Sequence, residues 1–329
     1  MSQPALEVRD IAKRYGDLQA VHPLSFEVRP GEIFGFLGPN GAGKTTTLRM
    51  LMGITAPDSG ELRFEGKPQL DRSRVGYLPE ERGLFEDSPV LDTVAYLGEL
   101  RGLSRTAARA AATPMLQRLG LANRLKEKVN TLSKGNQQKV QLVAAVLHSP
   151  ALVVLDEPFS GLDPLNQELF VDLMREMRDR GAAVLLSAHQ LDLVERLGDR
   201  FLLISHGRAV LAGTLEEIRR QAAGGVDDVV QLHLAPRNGS ALDGEALRGT
   251  LAALLPGGRA ELRDVTPASV RIDLGLPAGT DLGPLLAAAA QHAQVRRVET
   301  RRLPLHEIYL QAVRASGGPV AETEVTNGA

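Results

Sequence analysis

The 329-residue sequence contains no cysteine and no tryptophan. Without cysteine the chain can form neither disulfides nor thiolate metal sites, and it cannot use a cysteine nucleophile. Aromatic residues make up only 4% of the sequence, and it contains no run of basic residues. Few side chains are therefore available to stack on bases or to follow a phosphate backbone, and we expect no nucleic-acid partner.

The sequence also lacks an excess of charge and a long apolar run. It has 38 basic and 40 acidic side chains, a net charge of -2, so no overall field attracts it to nucleic acid or to anionic lipid. Its longest apolar stretch, residues 140–155, is broken by Pro150 and falls short of the ~20 residues that a spanning helix needs. Residues 1–10 include Glu7 and Asp10, unlike a secretory signal. We expect a chain that neither crosses a bilayer nor is secreted.

The composition, 43% hydrophobic and 24% charged, is typical of a globular chain with an ample core. Short apolar or alternating segments predict a small antiparallel sheet and a largely parallel sheet, an α/β fold. The strands of the antiparallel sheet are predicted at Ala5–Ile11, Val21–Val28 and Glu61–Phe64. The strands of the largely parallel sheet are predicted at Glu32–Gly38, Val75–Pro79, Ala151–Leu155, Ala183–Ser187 and Phe201–Ser205. Residues 89–147 between them are predicted to be mostly helical.

The length of the chain is typical of about two domains. Residues 221–228 (QAAGGVDD) are small or acidic and predict a linker, which divides a first domain, residues 1–222, from a second, residues 223–315. The second domain has a predicted order of strand, helix, strand, strand, helix and strand, which resembles the α+β ferredoxin-like fold. Residues 316–329 are small and polar, and we predict a disordered tail.

A glycine-rich segment, residues 38–45 (GPNGAGKT), matches the phosphate-binding loop pattern between a strand and a helix. Small residues let backbone N–H groups surround phosphates, and the following helix adds its positive end. The loop residues predicted to bind nucleotide are Gly38, Asn40, Gly41, Gly43, Lys44, Thr45 and Thr46. Among them, Lys44 brings a positive charge to the outer phosphates, and Thr45 offers its hydroxyl to Mg²⁺. The alternative is a glycine-rich turn with an incidental lysine.

Two adjacent carboxylates end the apolar segment Leu152–Glu157 (LVVLDE). Burying a charged carboxylate at the end of an apolar strand costs free energy unless a cation lies nearby. In phosphate-loop enzymes this strand lies beside the loop, so Asp156 is predicted to hold Mg²⁺ and Glu157 to orient and deprotonate the attacking water. Taken alone, the segment is also consistent with a strand end that caps a helix.

Residues 132–138 (LSKGNQQ) taken alone indicate a serine-capped or glycine-punctuated helix start. They lie some 20 residues before the carboxylates, and at that spacing they are similar to the Leu-Ser-Gly-Gly-Gln signature loop of ATP-binding cassette (ABC) transporter ATPases. With the phosphate loop and the carboxylate strand, the chain resembles this family over roughly residues 5–220. The resemblance implies a phosphate-loop NTPase core of ABC type, with a mixed sheet and antiparallel and helical subdomains. It further implies that Ser133, Gly135 and Gln137 contact the ATP of an opposite subunit.

Three further positions match the family pattern. The resemblance implies that Asp163, in the segment Ser160–Asp163, links two active sites across a dimer. It assigns His189 to the switch that contacts the terminal phosphate, and Tyr15 to stacking on adenine. Without the family context, a histidine such as His189 at a strand end is usually a surface or capping residue, and Tyr15 could equally be a half-buried strand residue.

The sequence departs from the family at three positions. Glu80 follows the predicted strand where the family has glutamine, and its carboxylate can still ligate Mg²⁺. Lys134 and Asn136 replace two usual signature residues. These changes occur together with the segment YLPEERGLF and an extension that ends in LPLHEIYL. With them, the chain resembles exporter ATPases similar to the sodium-extruding type.

These features predict a magnesium-dependent ATPase that dimerises with a second copy around two ATP molecules. The partner is expected to be a separate multispanning permease, docked near residues 86–97 on the cytoplasmic face of the membrane. The second domain is interpreted as a dimer brace or a sensor, and the missing acidic ion-binding clusters favour the brace. A competing hypothesis is a soluble ATPase of the same superfamily that acts on ribosomes or nucleic acid. A binding module without catalysis is disfavoured because Lys44, Asp156, Glu157 and His189 are all present.

Overall fold

A computed structural model describes residues 3–81, 83–222, 226–237, 242–266, 268–277 and 279–315. The chain forms two compact units, Met1–Ala212 and Gly213–Ala329. The second unit begins about ten residues before the boundary predicted at residue 222. The reason is that the helix Leu215–Ala222 packs against the last helix of the second unit. The predicted tail, residues 316–329, and the centre of the predicted linker, residues 223–225, lie outside the described residues.

A three-stranded antiparallel sheet in the order β2-β1-β4 opens the first unit. Its strands are β1 (Leu6–Tyr15), β2 (Leu18–Val28) and β4 (Ser59–Phe64). The register pairs Leu6 with both Val28 and Phe64, so the apolar positions of the three strands share one buried face. This small sheet confirms the antiparallel subdomain expected from the alternation of the sequence.

The central sheet has six strands in the order β5-β6-β7-β3-β8-β9. Their bounds are β3 (Ile33–Leu37), β5 (Val75–Leu78), β6 (Leu152–Asp156), β7 (Ala183–Ala188), β8 (Arg200–Ser205) and β9 (Arg208–Gly213). The pairs β5–β6, β6–β7, β7–β3 and β3–β8 are parallel. Because parallel strands end at a common edge, the loops after β3, β5, β6 and β7 converge there.

Six helices connect these strands in the described part of the first unit. They are α1 (Lys44–Leu51), α2 (Val90–Glu99), α3 (Arg105–Arg118), α4 (Lys134–Val146), α5 (Pro164–Asp179) and α6 (Leu191–Glu195). The predicted helical region, residues 89–147, contains α2, α3, α4 and two short 3-10 turns. Helix α4 begins where the Ser133 hydroxyl accepts a hydrogen bond from the Asn136 N–H, the usual action of a serine N-cap.

The second unit follows the strand and helix order that the sequence predicts, flanked by one more helix at each end. Its elements are α7 (Leu215–Ala222), β10 (Val226–Ala235), α8 (Gly244–Ala253), β11 (Arg259–Thr266), β12 (Ser269–Pro277), α9 (Gly283–His292), β13 (Gln294–Arg302) and α10 (Leu305–Ala315). The antiparallel sheet has the order β11-β12-β10-β13. Val230, Leu232 and Leu234 of β10 pack with α8 and α9 on one face, so the intervening side chains lie on the other.

Candidate functional site

The glycine-rich loop connects β3 to α1, with Gly43 immediately before the helix. Gly43 has φ of +99°, and a Cβ there would lie 2.6 Å from the Ala20 carbonyl oxygen, so glycine is required. Lys44 is buried, and its Nζ donates hydrogen bonds to the carbonyl oxygens of Gly38 (2.8 Å) and Pro39 (3.3 Å). The loop therefore folds around the ammonium group of Lys44.

Asp156 ends β6 and is completely buried. Its Oδ1 accepts a 2.5 Å hydrogen bond from the Ser187 hydroxyl, while its Oδ2 has no hydrogen-bond partner among the residues described. Burial raises the pKa of Asp156 above its usual value, against the lowering effect of the Ser187 hydrogen bond. A buried carboxylate with a free oxygen is an arrangement that a cation stabilises.

Glu157 lies between a lysine and a histidine. Its Oε1 is 3.3 Å from Lys44 Nζ, a close ion pair without hydrogen-bond geometry, and its Oε2 is 2.8 Å from His189 Nδ1. Its backbone N–H donates to the Ser187 hydroxyl. Glu157 also has φ of +50°, an uncommon conformation for a residue other than glycine, of the kind found at functional sites.

These groups adjoin a cleft of 480 Å³ that extends from the loop to the turn between β1 and β2. The predicted site residues that line it are Tyr15, Asn40, Gly41, Gly43, Lys44, Thr45, Thr46, Glu80 and Glu157. Thr45 Oγ1 lies 3.5 Å from Glu80 Oε2, so the loop after β5 approaches the start of α1. The Tyr15 ring is about half exposed at the far end of the cleft, with Lys13 Nζ 5.5 Å from its centroid.

Three predicted residues, Gly38, Asp156 and His189, are next to Lys44 or Glu157 but are not among the described lining residues, and the other four lie elsewhere in the first unit. Among the described residues, the cleft lining does not include Ser133, Gly135, Gln137 or Asp163. Ser133 and Asp163 cap helices α4 and α5 with their side chains, and Gln137 Nε2 donates to the Val129 carbonyl oxygen (3.1 Å). A Cβ on Gly135 would lie 3.0 Å from the Gly161 carbonyl oxygen, so the signature loop directly contacts residues 160–163.

Gln141, which is buried in α4, is a further residue near the site that the sequence motifs do not identify. Its Nε2 donates hydrogen bonds to the carbonyl oxygens of Pro79 (3.1 Å) and Glu81 (3.2 Å), on either side of Glu80. The helix that begins at the signature loop therefore holds the backbone of the Glu80 loop. The available signal was a single amide inside an otherwise apolar helical stretch.

His206, in the turn between β8 and β9, also lines the cleft and belongs to none of the sequence motifs. Its Nδ1 lies 2.9 Å from the Ser205 hydroxyl, and its φ is +49°. In the same turn, the Gly207 N–H donates to the Ala42 carbonyl oxygen, so the turn supports the phosphate-binding loop. The short polar turn His206-Gly207 between two strands was the signal for this contact.

No helix in the described part of the chain is long and apolar enough to cross a membrane. The family model for ABC transporters matches residues 21–160. The chain is 45% identical over 221 residues to an uncharacterized ABC transporter ATP-binding protein of Methanocaldococcus jannaschii. The aligned region covers 67% of this chain and 82% of that protein. It is 37% identical over 238 residues to the Nod factor export ATP-binding protein I of Burkholderia orbicola, over 71% of this chain and 78% of the relative.

A solved ATP-binding subunit of an ABC transporter matches with 35% identity and a TM-score of 0.63, over 66% of this chain and 92% of that structure. These relatives are named as transporter subunits, which agrees with the transporter interpretation rather than with the ribosome or nucleic-acid alternative. The protein therefore belongs to the ABC transporter family as an ATP-binding subunit, and members of this family hydrolyse ATP to drive transport.

Proposed function

We propose that this chain is the ATPase subunit of an exporter, and that two copies of it close around two ATP molecules. The supporting observation is the division of phosphate-binding groups within one chain. Lys44, Thr45 and Glu157 line the cleft, whereas Ser133 and Gly135 do not. A second copy, related by two-fold symmetry, could supply its signature loop to the open side of each cleft.

In this proposal the chain's own residues divide the chemistry among them. Glu157 accepts a proton from the attacking water, and His189, 2.8 Å from its Oε2, orients the carboxylate. Lys44 provides positive charge to the outer phosphates, and Tyr15 offers a ring face to the adenine base. His189 is half exposed, so it can also reach a bound phosphate. ATP binds in the cleft with its phosphates on the glycine-rich loop.

The oxygen groups at one end of the cleft suit Mg²⁺. Thr45 offers a hydroxyl, Glu80 a carboxylate and Asp156 the buried oxygen that lacks a partner, and Mg²⁺ prefers such oxygen donors. We propose that Thr45, Glu80 and Asp156 hold the ion directly or through water. When bound, Mg²⁺ neutralises negative charge on the outer phosphates.

Replacing Glu80 by glutamine, the family's usual residue, is expected to raise the Mg²⁺ concentration for half-maximal activity by about tenfold. The amide keeps the shape of the side chain but removes the charge that attracts the cation. The measurement is a Mg²⁺ titration of ATP hydrolysis at fixed total ATP. Glu81→Gln is the matched control, because Glu81 is highly exposed and is not among the described residues that line the cleft. An unchanged Mg²⁺ requirement in Glu80→Gln would remove Glu80 from the proposed metal site.

We further propose that a separate membrane permease docks beside α2, which makes this chain peripheral to the cytoplasmic face of the membrane. Three large apolar side chains are exposed there: Phe85 (47%), Tyr96 (45%) and Leu100 (63%). The rings of Phe85 and Tyr96 meet edge to face, 5.3 Å between centroids. An exposed apolar group of this kind is typical of an interaction surface.

The docking surface is tested by co-purification from membranes. The full chain is expected to retain a multispanning partner, and the double variant Phe85→Ala, Tyr96→Ala is expected to lose most of it, because buried aromatic anchors carry much of an interface's binding energy. Leu165→Ala is a control, because Leu165 is exposed on α5 and lies outside this surface. Equal recovery of the partner with the double variant would contradict this docking site.

A further inference from the structure

The second unit contains a cleft of 450 Å³ between α10 and the sheet face opposite α8 and α9. Each of the four strands contributes to its lining: Gln231 from β10, Arg263 from β11, Arg271 and Asp273 from β12, and Arg301 from β13. In the register of the sheet, Asp273 faces Gln231 on one side and Glu261 on the other. The cleft is thus a feature of the whole sheet face.

Arginine is the most frequent residue in the lining of this cleft. Four guanidinium groups (Arg263, Arg271, Arg301 and Arg314) and two carboxylates (Asp273 and Glu307) line it. Two further carboxylates pair with lining arginines, Glu261 with Arg263 at 2.9 Å and Asp264 with Arg271 at 2.7 Å. Glu307 already pairs with Arg301 at 2.6 Å, whereas Arg314 is exposed and has no partner among the residues the structure describes. Arg314 is therefore the guanidinium group that can pair with an anionic ligand at this cleft.

Asp273 and two of the arginines present buried polar atoms without hydrogen-bond partners. Asp273 is 4% exposed; its Oδ2 accepts from Arg263 Nε (3.0 Å), but its Oδ1 has no partner among the described residues. The Nε atoms of Arg271 and Arg301 are likewise buried and unpaired within the described part of the chain. A network with a purely structural role normally satisfies such groups. The Asp273 oxygen therefore needs a hydrogen-bond donor, and each of the two arginine Nε atoms needs an acceptor.

We propose that this cleft binds a small oxyanion that carries its own hydrogen-bond donor, such as inorganic phosphate or a hydroxycarboxylic acid. The arginines take the anionic oxygens of the ligand. Asp273 Oδ1, as an ionised carboxylate oxygen, can only accept a hydrogen bond, so it requires a hydroxyl on the ligand. A fully deprotonated anion of similar shape, such as sulfate, leaves Asp273 facing a second negative charge and is rejected.

Hydrogen–deuterium exchange of the full-length chain tests this site, with inorganic phosphate, citrate and sulfate as probes at equal ionic strength. Peptides from β12 and α10 are expected to exchange more slowly with phosphate or citrate than with sulfate. Protection by phosphate alone identifies free phosphate as the ligand type, and protection by citrate alone identifies an organic hydroxy acid. Peptides of residues 38–51 report separately on anions that bind the glycine-rich loop. Absence of protection by both probes, or equal protection by sulfate, would overturn the proposal.

Two variants test the roles of the charged groups in the cleft. Arg314→Gln is expected to weaken binding of the protecting probe by about tenfold, the effect of losing one charge-assisted hydrogen bond. Arg248→Gln, on α8 at the opposite face of the sheet, is the matched control and is expected to bind normally. Asp273→Asn, whose amide can donate, is expected to let sulfate bind as well as phosphate. Retained selectivity against sulfate in folded Asp273→Asn, or unchanged binding in Arg314→Gln, would contradict the assignment.

Discussion

Replacing Glu157 by glutamine is expected to slow ATP hydrolysis by ~10²-fold or more while ATP binding survives. The amide preserves the shape of the side chain and the backbone hydrogen bond to Ser187, but it cannot accept the proton of the attacking water. Loss of the ion pair with Lys44 leaves that ammonium group free for the phosphates, so we expect no loss of ATP affinity. Steady-state hydrolysis at saturating MgATP and an equilibrium nucleotide-binding assay measure the two effects.

Glu168→Gln serves as the control for this substitution, because Glu168 lies on α5 and pairs with Arg196, away from the cleft. It is expected to hydrolyse ATP at the normal rate. Near-normal turnover in Glu157→Gln would remove Glu157 from its assigned role. Loss of both binding and hydrolysis would instead indicate that Glu157 maintains the structure of the site.

Replacing Gly135 by aspartate is expected to abolish ATP-driven dimerisation. In the proposed dimer, Gly135 lies where the partner copy's terminal phosphate must bind, and aspartate adds both bulk and negative charge there. The same position contacts Gly161, so any side chain also crowds the loop that contains Asp163. Light scattering with and without ATP, in a chain that also carries Glu157→Gln, measures the effect.

Gly135→Ala separates crowding from charge in this experiment. Its Cβ would lie 3.0 Å from the Gly161 carbonyl oxygen, as the Cβ of aspartate would, but it adds no charge. We expect the alanine variant to dimerise measurably better than the aspartate variant. ATP affinity of the monomer should be unchanged in both, because Gly135 is not among the described residues that line the cleft. An equal loss of monomer binding would mean that this loop serves its own chain's site.

The sequence was most informative where function depends on neighbouring residues. The loop before α1 and the strand that ends at Asp156 are local patterns, and each places its polar groups at a strand end without reference to the rest of the fold. The signature segment likewise begins helix α4 at Ser133, as its serine and glycine pattern indicates. The amino-acid sequence alone is therefore sufficient to locate these features.

Contacts between distant segments could not be predicted in the same way. Gln141 donates hydrogen bonds to the carbonyl oxygens of Pro79 and Glu81, some sixty residues earlier, and a glutamine in a helix does not by itself identify such partners. The φ of +50° at Glu157 is set by its surroundings rather than by its residue type. The first unit ends at residue 212 because α7 packs with the second unit. The sequence instead predicts the boundary about ten residues later, where the composition is typical of a linker.

The charged cleft of the second unit had no sequence signal because its residues are spread over four strands and a helix. Asp273 and Arg314 are far apart in sequence, and each alone is an ordinary charged residue. The absence of acidic clusters favoured a dimer brace for this unit, whereas an oxyanion site is a property expected of a sensor. Ligand binding at Asp273 would therefore favour the sensor hypothesis.

The mass of the Glu157→Gln chain in solution, measured with and without MgATP, tests the central claim most directly. We expect a monomer without nucleotide and a dimer with ATP that contains two bound nucleotides, because each cleft needs the signature loop of the other copy. Sedimentation with nucleotide quantified in the same sample provides both values. A chain that stays monomeric at saturating MgATP, with ATP bound, would contradict it.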